Sequence, residues 1–229
     1  MTFSMTYAFS EKYVLVLSHD EVVHMKGSMI NKMPGEYDDK FANLKAGYSF
    51  MMGHPGKKLL FMGQDFAQFR EWSEARELDW YLLAEEKHVQ MKEYVKELLH
   101  LYQGSPALYE TDDNWEGFEW VNADDSDRSI FSFIRHSKDG KNNLLFVVNF
   151  TPVERPEYRV GVPQSGSYKL VLNSDEDRFG GSGEKRASSY RSKKGNCDNK
   201  PYSIGYSLPA YGVAVFQYEK KDETAKKTT

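Results

Sequence analysis

Two histidines and two carboxylates crowd into seven residues, Ser18-His19-Asp20-Glu21-Val22-Val23-His24. An imidazole beside a carboxylate suits either ligation of a metal ion or hydrogen bonding to carbohydrate hydroxyls. Spacing argues against the metal. A zinc metalloprotease helix needs His-Glu-x-x-His, with histidines at i and i+4 on one face. His19 and His24 are five apart, which on a helix separates them by about 140° at ~100° per residue. The stretch Asp20 to His24 aligns with that motif but lacks its first histidine. A plainer reading stays open beside the sugar-binding one: a histidine–carboxylate pair that merely caps a strand.

The strand in question is Tyr13-Val-Leu-Val-Leu17, apolar throughout, as a parallel strand buried on both faces would be. In α/β folds the carboxyl ends of such strands deliver catalytic side chains to a common mouth. The elements around it follow the same style. Residues 37–52 place Phe41, Leu44, Tyr48, Met51 and Met52 on one helical stripe, and Gly53-His-Pro-Gly56 ends that helix. Leu59–Met62 reads as a second short buried strand closed by Gly63, followed by a loop rich in Trp, Glu and Arg. Glu85–Tyr102 repeats apolar residues at helical spacing (Met91, Tyr94, Val95, Leu98, Leu99, Tyr102) until Gly104-Ser-Pro106 stops it. Glu36, Asp38, Asp39 and Asp65 read as loop or helix-start charges.

From about residue 107 the helical period disappears. Ser129–Arg135, Asn143–Phe150, Ser167–Asn173 and Tyr211–Tyr218 are short β-branched and aromatic runs between Gly, Pro, Asn and Asp clusters. This predicts an antiparallel β-sandwich or barrel. Residues 184–200, with Lys185, Arg186, Arg191, Lys193, Lys194 and Lys200, read as a solvated loop, a weak anion or glucan contact being the alternative. Glu219–Thr229 reads as a disordered charged tail.

Composition bounds the partners. The chain has 229 residues and a formal charge of −4, which argues against nucleic acid or an anionic membrane as the main partner. One cysteine, Cys197, excludes an internal disulfide framework and suits a reducing cytoplasm. The apolar run at Tyr13–Leu17 is too short for a secretory segment or a membrane span. Aromatic residues reach 14 %, a level shared by sugar-handling proteins and β-sandwich cores, so it decides nothing alone. Eight strand–helix units close a barrel in roughly 250 residues. The first 105 residues hold two, and two parallel strands leave edges unsatisfied. The N-terminal half therefore reads as the end of something larger, and Met1 need not be the biological start.

Phe9-Ser-Glu-Lys-Tyr-Val-Leu-Val-Leu-Ser-His-Asp-Glu-Val-Val-His24 resembles the fourth signature region of the α-amylase clan, in the form found in bacterial 1,4-α-glucan (glycogen) branching enzymes. Lys32-Met-Pro-Gly35, Lys40-Phe-Ala-Asn-Leu44, His54–Gly63, Gln68-Phe-Arg-Glu-Trp72, Leu78-Asp-Trp80, Gly117-Phe-Glu-Trp120 and Asn149-Phe-Thr-Pro152 fit the same family in order and spacing. The resemblance covers nearly the whole chain to about residue 218. It implies an α/β plus all-β fold: the C-terminal part of a (β/α)8 TIM barrel followed by an antiparallel β-sandwich. Residues 1–105 would be the end of the barrel, with strand seven at 13–17 and strand eight at 58–62; residues 106–218 would be the sandwich and 219–229 the tail.

The implied activity is retaining glycosyl transfer: cleavage of an α-1,4 link, a glycosyl-enzyme intermediate, and delivery of the chain to a glucose 6-hydroxyl. Asp20 would stabilise the oxocarbenium-like transition state and His19 would donate hydrogen bonds to the same sugar. Trp72, and with it Trp80, lies in the loop after strand eight, where a ring can stack on a glucan or pack between barrel and sandwich; Trp115 and Trp120 read as interface or core. Retention needs two carboxyl groups about 5–5.5 Å apart across the scissile bond. The nucleophile and the acid/base belong to earlier strands of the family and are not in this chain, so the chain alone is expected to be inactive. No metal, nucleotide or organic cofactor is implied, and the partners are α-glucan or glycogen chains. Two departures touch the acceptor-side loops: Asp65 where glutamate is more usual, and Met25 where glycine is. The alternatives are a non-catalytic glucan-binding module, or another clan member such as a hydrolase or debranching enzyme. Against the latter stand the Lys-Met-Pro-Gly and Arg-Glu-Trp blocks, which resemble branching enzymes in particular.

Overall fold

The computed structural model describes residues 2–17 and 19–219, without the side chains of Val16 and His19. Strand β1 (Val14–Leu17) pairs in parallel with β2 (Lys57–Leu60), Val14 opposite Lys57 and Leu17 opposite Leu60. Helix α1 (Tyr37–Gly53) connects them. It begins where the Asp39 carboxylate accepts the Glu36 amide at 3.3 Å, and Asp38 and Asp39 place negative charge against the positive end of the helix. It ends before Pro55, which cannot continue it. Helix α2 (Glu86–Gly104) follows β2 and buries Met91, Tyr94, Val95 and Leu98, the stripe expected from the sequence.

Among the described residues nine antiparallel strands follow: β3 (Phe118–Asn122), β4 (Ile130–Arg135), β5 (Leu144–Asn149), β6 (Arg155–Val162), β7 (Ser167–Asn173), β8 (Ser189–Arg191), β9 (Lys193–Cys197), β10 (Lys200–Leu208) and β11 (Val213–Glu219). Six of them form one sheet in the order β3-β4-β5-β11-β7-β8, and three form a second in the order β6-β10-β9. The period-2 alternation of the central strands sorts their side chains between two cores. Leu145, Val147, Ala214 and Phe216 pack against Tyr158, Val160, Ile204 and Tyr206 of the smaller sheet. Leu144, Phe146, Val148, Val213 and Val215 pack the other way, with Phe50 and Met52 of α1 and Leu98 of α2. The molecule is thus three-layered, and β5 is buried along its whole length.

The helical and β-rich halves also meet through a buried cation. Arg135 of β4 is fully enclosed, and its guanidinium donates to the carbonyls of Gly53 (2.8 Å) and Gly117 (3.0 Å) and to Asp112 Oδ1 (2.9 Å). Asp112 Oδ1 also accepts the Gly56 amide at 3.0 Å.

Several sequence expectations are corrected. The strand at β1 is not covered on both faces: Val14 is 53 % exposed and Leu59 of β2 is 37 % exposed, because the described residues supply no third strand to the pair. β2 lies at Lys57–Leu60 rather than Leu59–Met62, since the Phe61 amide leaves the ladder to donate to Gln64 Oε1 at 3.0 Å. Residues 184–200 are not a simple solvated loop. They hold β8 and β9, and the Arg186 side chain is buried between Asp175 and Glu184. Trp115 is 57 % exposed, edge-on to Phe9, whereas Trp120 packs into the core shared by α1 and the six-stranded sheet. Glu219 closes β11, and residues 220–229 of the expected tail lie outside the described residues. Among the described residues no helix is long and apolar enough to cross a membrane.

Candidate functional site

The loops leaving the carboxyl ends of β1 and β2 lie side by side, and the residues singled out in the sequence are all on them. Asp20 sits in a single 3-10 turn, His19–Glu21, directly after β1 and is solvent-exposed. The His19 side chain lies outside the described residues. Trp72 is half-buried; its amide donates to Val22 O at 2.9 Å, and its ring meets Phe61 edge-on at 5.1 Å. The Trp72 ring is therefore committed to packing along one edge. Trp80 is half exposed and leans on Phe66 at 5.4 Å.

Residues 70–72 tie the two loops together. The Glu71 carboxylate accepts the Met25 amide on Oε1 and the Gly27 amide on Oε2, each at 3.1 Å. Those amides converge because His24 (φ 54°), Met25 (φ 68°) and Gly27 (φ 72°) are left-handed, a geometry that turns successive N–H groups toward one anion. The two amides hold the Glu71 carboxyl below its ordinary range. Next to this turn, Lys26 Nζ donates to the Asp20 carbonyl at 2.6 Å. Asn31 Nδ2 reaches Phe69 O at 2.6 Å.

The neighbouring residues brace the bracket. Arg70 pairs with Asp79 through Nε and Oδ2 at 2.8 Å and through a second, shorter contact. Asp79 is buried, and hydrogen bonding from Arg70 holds its carboxyl below the usual carboxylate range. Gln68 Oε1 accepts the Asp79 amide at 2.8 Å while Gln68 Nε2 donates to Arg70 O at 3.0 Å. Reading the sequence marked the Arg-Glu-Trp and Leu-Asp-Trp blocks only as points of resemblance. It missed that Glu71 holds the Met25 and Gly27 amides, and that Arg70, Gln68 and Asp79 bond one another beside it. Asp65 lies in the 3-10 turn Gln64–Phe66. Met25 is 95 % exposed. Among the described residues no three His, Cys, Asp or Glu side chains cluster as a metal site.

The arrangement offers an exposed carboxylate, Asp20, with Glu21 exposed beside it, at the end of a parallel strand and on a loop bonded to a second loop. Such a group can accept hydrogen bonds from sugar hydroxyls and stabilise developing positive charge.

Comparison with known proteins agrees with the fold. Residues 120–219 match the family of the alpha amylase C-terminal all-beta domain. A 1,4-alpha-glucan branching enzyme GlgB of Butyrivibrio fibrisolvens is 56 % identical over 221 residues, covering 96 % of this chain and 35 % of the relative. The corresponding enzyme of Gloeobacter violaceus is 50 % identical over 223 residues, covering 97 % and 30 %. The chain thus spans about a third of the length of the curated relatives it matches. Among solved structures, an alpha-amylase from H. orenii superposes with a TM-score of 0.56 at 18 % identity, over 90 % of this chain and 39 % of that one. A variant of AmyP in complex with maltotriose gives 0.59 at 16 % identity, over 84 % and 37 %. At these identities the structures speak for the fold alone.

Proposed function

The chain corresponds to a C-terminal part of the 1,4-alpha-glucan branching enzymes, and on that premise we propose that it contributes to branching: retaining transfer of an α-1,4-glucan chain onto a glucose 6-hydroxyl. Residues 1–105 are the end of a (β/α)8 barrel, with β1 and β2 as its last two strands. Residues 106–218 are the β-sandwich domain that closes it. Asp20 stabilises the transition state, His19 binds the same sugar, and Trp72 lines the glucan path with the ring edge that Phe61 leaves free. The nucleophile and the general acid/base come from barrel strands outside this chain, so the chain by itself turns nothing over. No metal or organic cofactor enters the reaction, and the setting is the cytoplasm.

One observation carries this reading: Asp20 stands exposed at the carboxyl end of a parallel strand, where barrel enzymes assemble their chemistry. The test is a chimera in which this chain replaces the matching segment of the Butyrivibrio fibrisolvens relative. It should form α-1,6 links, and Asp20→Asn should lower kcat by roughly 10²–10³-fold, the scale of losing one group aimed at transition-state charge. Full branching by the Asp20→Asn chimera, or by the chain alone, refutes the assignment.

A further inference from the structure

Beside the exposed Asp20 turn is a carboxylate whose hydrogen bonds go to backbone amides. Glu71 comes from the loop after β2, yet both its oxygens are bonded to amides of the loop after β1, Met25 and Gly27, at 3.1 Å each. Two further links join the same segments: Trp72 N to Val22 O at 2.9 Å, and Lys26 Nζ, projecting from between the two held amides, to Asp20 O at 2.6 Å. The held turn carries three left-handed residues, two of them not glycine, a conformation that costs energy which the bonds to the converging amides offset.

We propose that Glu71 is a positioning residue for Asp20: its carboxylate fixes the backbone of residues 25–27, and through Lys26 that turn fixes the 3-10 turn bearing Asp20. The inference deepens the branching reading and rests on it for its functional meaning, although the geometry stands apart from that reading. Glu71 touches no reacting atom. Its part is to keep a strand-end carboxylate in one place before substrate arrives.

The test uses the full chain and residue-resolved amide hydrogen exchange. The number of amides that lose protection should follow the number of acceptors removed. Glu71→Ala should speed exchange at both Met25 and Gly27 by roughly tenfold or more, the scale of one charge-assisted hydrogen bond. Glu71→Gln should do so at only one of them, because its amide nitrogen donates and leaves a single acceptor. Amide signals of Asp20 and Glu21 should shift in both variants, while the melting temperature, set by the two cores, stays put. Unchanged exchange at Met25 and Gly27 in Glu71→Ala overturns the proposal, as does equal loss of protection across the fold. A separate arm adds maltoheptaose to the unaltered chain. If Asp20 fails to respond, the glucan reading is what fails, and the exchange result still decides the role of Glu71.

Discussion

Arg135 and Asp112 form an ion pair, 2.9 Å from Nη2 to Oδ1, that sits in the β-rich half and bonds to backbone of the helical half. The arginine stands on β4 in the six-stranded sheet. The aspartate also holds the amide of Gly56 ahead of β2, and the guanidinium reaches the last carbonyl of α1. Burial pushes the Arg135 pKa down, and the carboxylate of Asp112 works against that shift.

Removing the carboxylate therefore leaves a cation enclosed without its counter-ion. Asp112→Ala should cost about 3–5 kcal/mol, the usual penalty for breaking a buried pair from one side. Urea unfolding monitored by tryptophan fluorescence measures it, and a loss below about 1 kcal/mol would contradict the account.

The contact of α1 with the sheet is closed by an absent side chain. A Cβ on Gly53 would lie 2.7 Å from Cζ of Phe133 and 3.0 Å from Cδ1 of Phe146, whose rings stack at 5.0 Å. Gly53→Ala should destabilise by about 1–3 kcal/mol, as overpacking of a dense core does. A neutral or stabilising result in a thermal melt would show that the helix can slide over the sheet.

Acid should weaken the fold in two separable steps. Burial pushes the His54 pKa down from 6.5 to about 4, with Nε2 2.8 Å from the Ser4 hydroxyl and Nδ1 2.9 Å from Pro55 O. The unfolded chain then takes up a proton that the folded chain refuses. Stability present above pH 6.5 is lost as pH falls toward 4, by about 3 kcal/mol at most. Glu119, held by His136 and Lys200, has its carboxyl lowered from 4.5 to about 2, so its contribution is lost as pH falls from 4.5 toward 2. A series of urea midpoints from pH 7 to 3 reads both. His54→Gln should flatten the upper limb and Glu119→Gln the lower; a profile that neither variant alters would sink the assignment.

Met25 is exposed at φ 68°, a conformation that favours glycine. Met25→Gly should raise stability by roughly 1 kcal/mol, less the backbone entropy that glycine adds to the unfolded chain. Its measure is the denaturant midpoint, and a lowered midpoint would mean the methionine makes a contact that outweighs its strain.

How far the sequence could be read depended on what each residue answers to. The α1 and α2 stripes and strands β4, β5, β7 and β11 announced themselves because their side chains answer to a core. Strands β8 and β9, Ser189–Arg191 and Lys193–Cys197, carry no apolar alternation; sheet pairing sets them, so their lysines and serines looked like loop. β1 looked buried because its composition is that of a covered strand, while among the described residues only β2 pairs with it. At the candidate site, Asp20 and Trp72 were visible by type and position. Glu71 was not, because its partners are main-chain amides forty-four and forty-six residues away, and backbone leaves no trace in composition.

β5 has no side that faces water, and this bears on heredity as well as stability. A recombination event that carried the β-rich half alone into another gene would deliver a sheet whose Phe133, Phe146, Val148, Val213 and Val215 had lost α1 and α2. Such a product would expose a contiguous apolar face, an aggregation liability. The six-stranded sheet thus needs α1 and α2 to keep one of its faces from water.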